Sequence, residues 1–309
     1  METFTDDTVV ALASFLSPHD MLSLSLTCKR FGHKHGTTTS RSRRMVEREA
    51  RKSGGSREVR QRIESISLME VAARTALCNK WTDEEKNALP RRGDESWIGL
   101  YQEFLKLFHL PLQFDKLAGG NIYYGHNKQS VVCRKLQAGQ GGFHSAICTN
   151  IMRAGRHTVS FNVDNRPTGG AGITLGIMRP TREDITRLNY CYPAYEDLSR
   201  FALKDYENLH RADNIDCCLL STAGGISFTK RWSNQRTDIN NWEGQEEIRN
   251  DTSFKIGMVL DLDEGTLDVY KNDRRLGTTM TGLVGEYCWV VSLRPEQNPD
   301  ASKTISIDR

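Results

Sequence analysis

Several things are missing from this 309-residue chain, and each absence removes a class of function. It has no run of about 18 apolar residues, so no segment reads as a membrane-spanning helix. Its first residues include Glu2, Asp6 and Asp7 where a secretory leader would carry cations, which predicts an intracellular protein, cytoplasmic or nuclear. The eight cysteines form no Cys-x-x-Cys pair and only one adjacent pair, Cys217-Cys218, so neither a zinc nor a disulfide framework is indicated. Reduced, packed thiols are expected. No Gly-x-Ser-x-Gly elbow accompanies a histidine and an acid, and neither Gly139-Gln140-Gly141-Gly142 nor Gly169-Gly170-Ala171-Gly172 carries the Gly-Lys-Ser/Thr of a phosphate loop. Cys28, His33 and His35 lack a fourth metal ligand at useful spacing, and His144, His157 and His210 have no signature around them. The chain is expected to be non-catalytic, with no cofactor and no metal.

What is present is enough for a folded core: 38% hydrophobic and 26% charged residues, a length suited to two domains or to one with an appendix. Lys and Arg number 42 against 39 Asp and Glu, a net +3, too balanced for the whole chain to bind nucleic acid by charge. The positive charge is nevertheless segregated. Residues 29–62 hold twelve Lys and Arg against three Glu, a local +9 that leaves the remainder at −6. Thr37-Thr38-Thr39-Ser40 and Ser53-Gly54-Gly55-Ser56 interrupt this run, which reads as a solvated linker; nuclear targeting or an acidic partner are the other readings.

Helical periodicity dominates the first third. Leu12, Phe15 and Leu16 keep an i, i+3, i+4 spacing, Pro18-His19-Asp20 turns the chain, and Met21, Leu22, Leu24 and Leu26 follow. Residues 57–80 keep the period through Val59, Ile63, Ile66 and Met69. Thr82-x-x-Glu85 is a capping box for a short helix ending before Pro90. Trp97, Leu100, Tyr101, Phe104, Leu105 and Phe108 make one apolar stripe, a docking face. Trp81 and Trp97 resemble the opening of a Myb-type repeat, but no third tryptophan follows at that interval, and packing onto the following domain is expected instead.

After Pro111 the pattern becomes alternating. His157–Val163 and Gly172–Ile177 alternate polar with apolar, and Ile256, Met258, Leu260 and Leu262 run through Asp263-Glu264-Gly265 into Leu267 and Val269 as a hairpin. Asn272-Asp273 marks a second tight turn. An antiparallel sandwich with half-buried strands is expected, with a long connection at 180–216 that includes Tyr190, Tyr192 and Tyr195. Asp261, Asp263, Glu264 and Asp268 do not match a calcium loop, because Thr266 and Asn272 stand where Gly and Glu are required.

Residues from about 114 to 309 resemble a SPRY domain. Arg153-Ala154-Gly155-Arg156-His157 leads into a long strand, Gly172-Ile173-Thr174-Leu175-Gly176-Ile177 resembles the family's Val-Gly-Val strand, and Phe254–Asp273 is the most specific match. Trp289-Val290-Val291-Ser292-Leu293 resembles its Pro-x-Val-Ser strand with Trp for Pro. The first thirty residues resemble an F-box, through the leucines above and Thr27-Cys28-Lys29-Arg30-Phe31, although Phe4-Thr5-Asp6-Asp7 replaces the usual Leu-Pro opening. Resemblance and residue pattern together predict an α+β chain: the resemblances imply an F-box-like hairpin at 1–32 and a concanavalin-like antiparallel β-sandwich at 113–309, and composition and periodicity add a basic linker at 33–56 and a helical segment at 57–112 packing on the sandwich.

The resemblance also implies a substrate-recognition adaptor of a Skp–cullin–F-box ubiquitin ligase. Leu12, Phe15, Leu16, Met21, Leu22, Leu24 and Leu26 would then dock on the Skp-type adaptor. Met152, Arg294, Pro295 and Glu296, flanked by Tyr190, Tyr192 and Tyr195, would bind a protein or peptide target. The alternatives are an interaction scaffold unconnected with ubiquitin, and nucleic-acid binding through residues 29–62. No membrane partner is expected.

Overall fold

The computed structural model describes residues 16, 20, 68–89, 96–134, 142–166, 172–189, 191–193, 215–232, 236–248, 253–295 and 302–309. The chain divides into two compact units, residues 1–109 and 110–309. No helix among the described residues is long and apolar enough to cross a membrane.

The first unit contains α1 (Leu68–Lys80), α2 (Asp83–Ala88) and α3 (Trp97–Phe104), the last continuing as a π-helical turn at Leu105–His109. The capping box forms as its sequence predicts: Thr82 Oγ1 accepts the Glu85 N–H at 3.2 Å, and Glu85 Oε2 accepts the Thr82 N–H at 2.8 Å. Ser96 caps α3, and Glu70 reaches across from α1 to accept the Trp97 N–H. Burial raises the Glu70 carboxyl against the pull of these backbone donors. The core gathers Met69, Ala73, Leu77, Ile98, Tyr101 and Phe104. Trp81 and Trp97 meet edge to face at 6.5 Å within this unit, so their packing is local to the helices. Leu16 packs against the same cluster; apart from Leu16 and the exposed Asp20, residues 1–67, including the basic segment, lie outside the described residues.

The second unit is an antiparallel sandwich. Among the described residues one sheet has the order β1-β4-β13-β6-β7-β8-β9 and the other β12-β11-β10-β5-β14-β3-β2. The first is built from Phe114–Ala118, His144–Cys148, Cys288–Leu293, Ile173–Met178, Cys217–Ser221, Ser227–Arg231 and Arg236–Asn240. The second is built from Arg274–Met280, Thr266–Lys271, Ser253–Asp261, Arg156–Arg166, Ser302–Asp308, Ser130–Arg134 and Ile122–Tyr124. Inward side chains of both sheets share one core, in which Phe161 of β5 meets Trp289 of β13 edge to face at 6.4 Å. The β10–β11 hairpin forms with Asp261 opposite Thr266 and Gly265 at φ 68. Asn272 and Asp273 both take positive φ, 50 and 66, as a two-residue primed turn between Lys271 and Arg274 requires.

The two sheets differ in a way that simple alternation does not anticipate. β10 buries every second residue, as expected, but β4, β6 and β13 are buried at every position. The outer face of the β13 sheet carries a second apolar layer, in which Ile185 from a 3-10 turn at Glu183–Arg187, Cys191, Tyr192 and Trp232 cover Ile147, Met178, Leu219 and Val290. The described parts of the 180–216 connection are thus packed against the sheet. Cys217 and Cys218 fall on opposite faces of β7, one in each cluster, so they cannot pair with each other. Of the described cysteines only Cys78 is exposed, and burial pushes the Cys218 and Cys288 thiols up to about 11 and about 12.

At Gly176 in β6 a Cβ would fall onto the backbone carbonyl of Cys218 in β7. Gly176→Ala should therefore destabilise the sandwich by about 1–3 kcal/mol, the cost of overpacking a filled interior, read as a lowered urea midpoint.

Candidate binding surface

β13 connects two ends of different character. At its start Tyr287 pairs with Met152 by reciprocal backbone hydrogen bonds of 2.8 and 3.0 Å. Several polar groups around this end bond to one another. Arg179 lies over the Tyr287 ring at 4.3 Å, donates to the Glu286 carbonyl at 3.1 Å and stands 3.7 Å from Asp216 in a pair almost wholly withdrawn from solvent. Asp216 Oδ2 accepts the Trp232 N–H at 2.6 Å, Tyr287 donates to the Ile215 carbonyl at 2.8 Å, and Arg153 pairs with Glu286 at 3.0 Å. Burial raises the Tyr287 phenol, which stays protonated. This end is a lock that holds the long connection to the sheet.

The other end begins at Arg294. Leu293 lies opposite His144 and Ile173, and Ser302 lies opposite Arg134 and Arg166, so the β3–β4, β5–β6 and β13–β14 connections all start and finish here. The Arg294 N–H donates to the Gly172 carbonyl at 2.7 Å, and its own carbonyl accepts Lys303 Nζ at 2.9 Å. Gly172 has φ 95, and a Cβ there would stand 2.8 Å from Arg294 Cβ, so the two connections touch at a point where only glycine fits. Lys303 is 1% exposed: a lysine stem fills the end of the core while its ammonium secures the base of a loop. His144 Nε2 lies 3.3 Å from Asn121 Nδ2, and both residues are buried. The Arg294 side chain is exposed, and no carboxylate pairs with it among the described residues.

The residues expected to bind a target are therefore not one cluster. Met152 is 1% exposed in the sandwich core, and seven strand steps, about 23 Å, separate its partner Tyr287 from Arg294. Its side chain supports the lock and offers no contact surface. Tyr192 is 5% exposed and stacks on Phe143 at 4.1 Å, because the apolar layer over the sheet needs its ring; it too is packing. Arg294 and half-buried Pro295 stand at the open end, while Tyr190, Tyr195 and Glu296 lie outside the described residues. The carboxylates of the β10–β11 hairpin are used by the chain. Asp261 accepts the Asp263 and Glu264 N–H groups, Asp263 accepts the Gly155 N–H, and Asp268 is held low by Arg275 and Thr278 against the effect of burial.

Sequence patterning did not single out Arg134. It ends β3 beside a depression of about 580 Å3 on the outer face of the β5 sheet, lined also by Tyr123, Tyr124, Ser130, Ser302 and Thr304. Its signal in the sequence is weak: a charged residue closing Ser130-Val131-Val132-Cys133 ten residues after a Tyr-Tyr pair.

Neither a protein-family model nor a curated protein sequence matches the chain. Among solved structures the chain is similar to the SPRY domain of human HERC1, with a TM-score of 0.39 and 14% identity over 64% of this chain and 96% of that one. The PSpry domain of TRIM65 gives 0.39 and 18% over 64% and 90%. The carbohydrate binding module CBM66 from Bacillus subtilis gives 0.38 and 8% over 64% and 97%. Scores of this size leave the strand order and register above as the ground for the fold, and the chain's own residues as the ground for its function.

His144 and His157 are both buried and held below the usual imidazole range by desolvation. In each the folded protein binds the proton less readily than the unfolded chain does. Stability should be full above about pH 6.5 and fall as the pH drops through that value. Urea midpoints at pH 7.5 and pH 5.5 should differ in that sense, and His157→Gln should reduce the difference.

Proposed function

We propose that the sandwich, residues 110–309, binds a polypeptide target at its Arg294 end, and that the segment containing Leu12, Phe15, Leu16, Met21, Leu22, Leu24 and Leu26 joins it to a Skp-type adaptor of a cullin ubiquitin ligase. The observation that carries the first half is the contrast between the two ends of β13. One end has its charges paired inside the fold; the other presents the Arg294 side chain on a base fixed by Lys303, beside the connections that can vary without disturbing the core. A base fixed in this way suits recognition with little ordering cost. The SPRY-like sequence landmarks support the same reading. Arg294, Pro295 and Glu296 would make the contact, with Tyr190 and Tyr195 as flanking rings. The chain performs no bond-making step in this reading and needs no cofactor; it recruits.

The adaptor half rests on the F-box-like leucine spacing. Each buried leucine-sized side chain contributes about 1.5–3 kcal/mol, so a face of seven is ample for docking. One observation favours the scaffold reading: Leu16 is partly buried against the helical core of its own unit, so at least this leucine has an internal use.

Co-purification with the adaptor decides between them. A stable complex that Leu22→Asp with Leu24→Asp weakens at least tenfold is the expected result. No complex with the native chain, at unchanged helical content, would leave the scaffold. For the target half, Arg294→Ala with Pro295→Ala should lower affinity for a captured target at least tenfold, whereas Met152→Leu should leave it unchanged.

A further inference from the structure

The depression beside Arg134 differs from the rest of the sandwich surface in the state of its polar groups. Elsewhere on the second unit charged side chains are commonly paired, as Arg275 is with Asp268 at 3.0 Å and Lys255 with Asp273 at 2.8 Å. Among the described residues, the Arg134 guanidinium has no carboxylate partner and the hydroxyls of half-buried Ser130, Ser302 and Thr304 have no hydrogen-bond partner. The two tyrosine rings at the rim are held. Tyr123 donates to the Gly120 carbonyl at 2.7 Å and Tyr124 to the Asp115 carbonyl at 3.1 Å, so each presents a ring whose orientation is already fixed. β2 is the edge strand of its sheet, and from Ser130 to Arg134 the floor runs about 13 Å, the span of four extended residues.

The geometry points to this groove as the seat of an acidic peptide segment, laid along the β2–β3 edge with a carboxylate side chain on Arg134, backbone or side-chain groups on the three hydroxyls, and apolar stems against Tyr123 and Tyr124. The inference rests on the polypeptide-binding reading and adds to it a second contact region with a defined charge. No carboxylate is among the residues lining the groove, so the charge it offers is positive. A nucleic-acid strand is the competing occupant, since Arg166 lies opposite Ser302 in the register and His126 lines the groove, and the oligouridylate arm of the test below separates it from a peptide. Arg134 and Ser302 are opposite each other in the register, and Lys303, next to Ser302, donates to the Arg294 carbonyl at 2.9 Å, so the groove opens close to the Arg294 end.

The test is a titration of the full chain with fluorescein-labelled Gly-Glu-Glu-Glu-Gly, its Gln counterpart, its phosphoserine counterpart and a short oligouridylate, read as anisotropy. The Glu peptide should saturate, with the Gln peptide at least tenfold weaker. Arg134→Glu should weaken Glu-peptide binding at least tenfold, Tyr124→Ala several-fold, and Arg134→Lys less than Arg134→Glu. Arg134 is exposed, and an unchanged thermal midpoint in each variant shows that the fold is kept. A phosphoserine peptide ten times tighter than the Glu peptide would identify the anion as phosphate on the same site. Absence of saturation, equal binding by Arg134→Glu, or tighter binding of oligouridylate would overturn the inference. Arg294→Ala separates the two claims: loss of target binding in that variant with no effect of Arg134→Glu leaves the polypeptide-binding reading standing and removes the groove.

Discussion

The contact between β13 and β5 across the interior is what the rest of the sandwich depends on. Trp289 and Phe161 meet there edge to face, and β13 is the strand that both sheet faces need. On its inner side Trp289 and Val291 close the shared core; on its outer side Cys288 and Val290 lie under the second apolar layer. A strand buried on both sides cannot slip by one residue without exchanging one set of apolar groups for another, which fixes its register firmly. The neighbouring strands inherit that register: Leu293 is held opposite His144 and Ile173, and the position of Arg294 just beyond it follows.

This explains why one end of β13 is closed and the other open. At the Tyr287 end the Arg179–Asp216 pair, the Tyr287 hydroxyl and the Trp232 N–H bind the long connection down, and the cost of burying two charges is offset by the hydrogen bonds that surround them. At the Arg294 end the Gly172 carbonyl and a buried lysine secure the backbone and leave the Arg294 side chain exposed. Rigidity at one end and exposed side chains at the other come from the same strand.

Much of this was legible in the sequence where a local rule decides the outcome. The Thr82–Glu85 capping box, the Gly265 hairpin and the Asn272-Asp273 turn all form as their residues require, because each is settled within a few positions by hydrogen bonding or by φ. Full burial of β4, β6 and β13 was not legible, since it depends on Tyr192, Ile185 and Trp232 arriving from distant positions to cover a second face. The same non-locality separated the expected target residues. Met152 and Arg294 look alike as flanks of strands, yet antiparallel pairing sends them to opposite ends, and Tyr192 is needed by the apolar layer. Arg134 was missed for the converse reason: a lone charged residue at a strand end has meaning only once Ser302, Thr304 and the two tyrosines are set beside it.

The proposed binding at the Arg294 end and along the β2–β3 edge needs both regions to lose solvent access when a target is bound. Hydrogen–deuterium exchange on the full chain with and without a bound target tests this most directly. Slowed exchange is predicted at residues 294–302 and along β2 and β3, with none around Met152, Arg179 and Tyr287. Protection centred on the Tyr287 end, or on no part of residues 110–309, would contradict it.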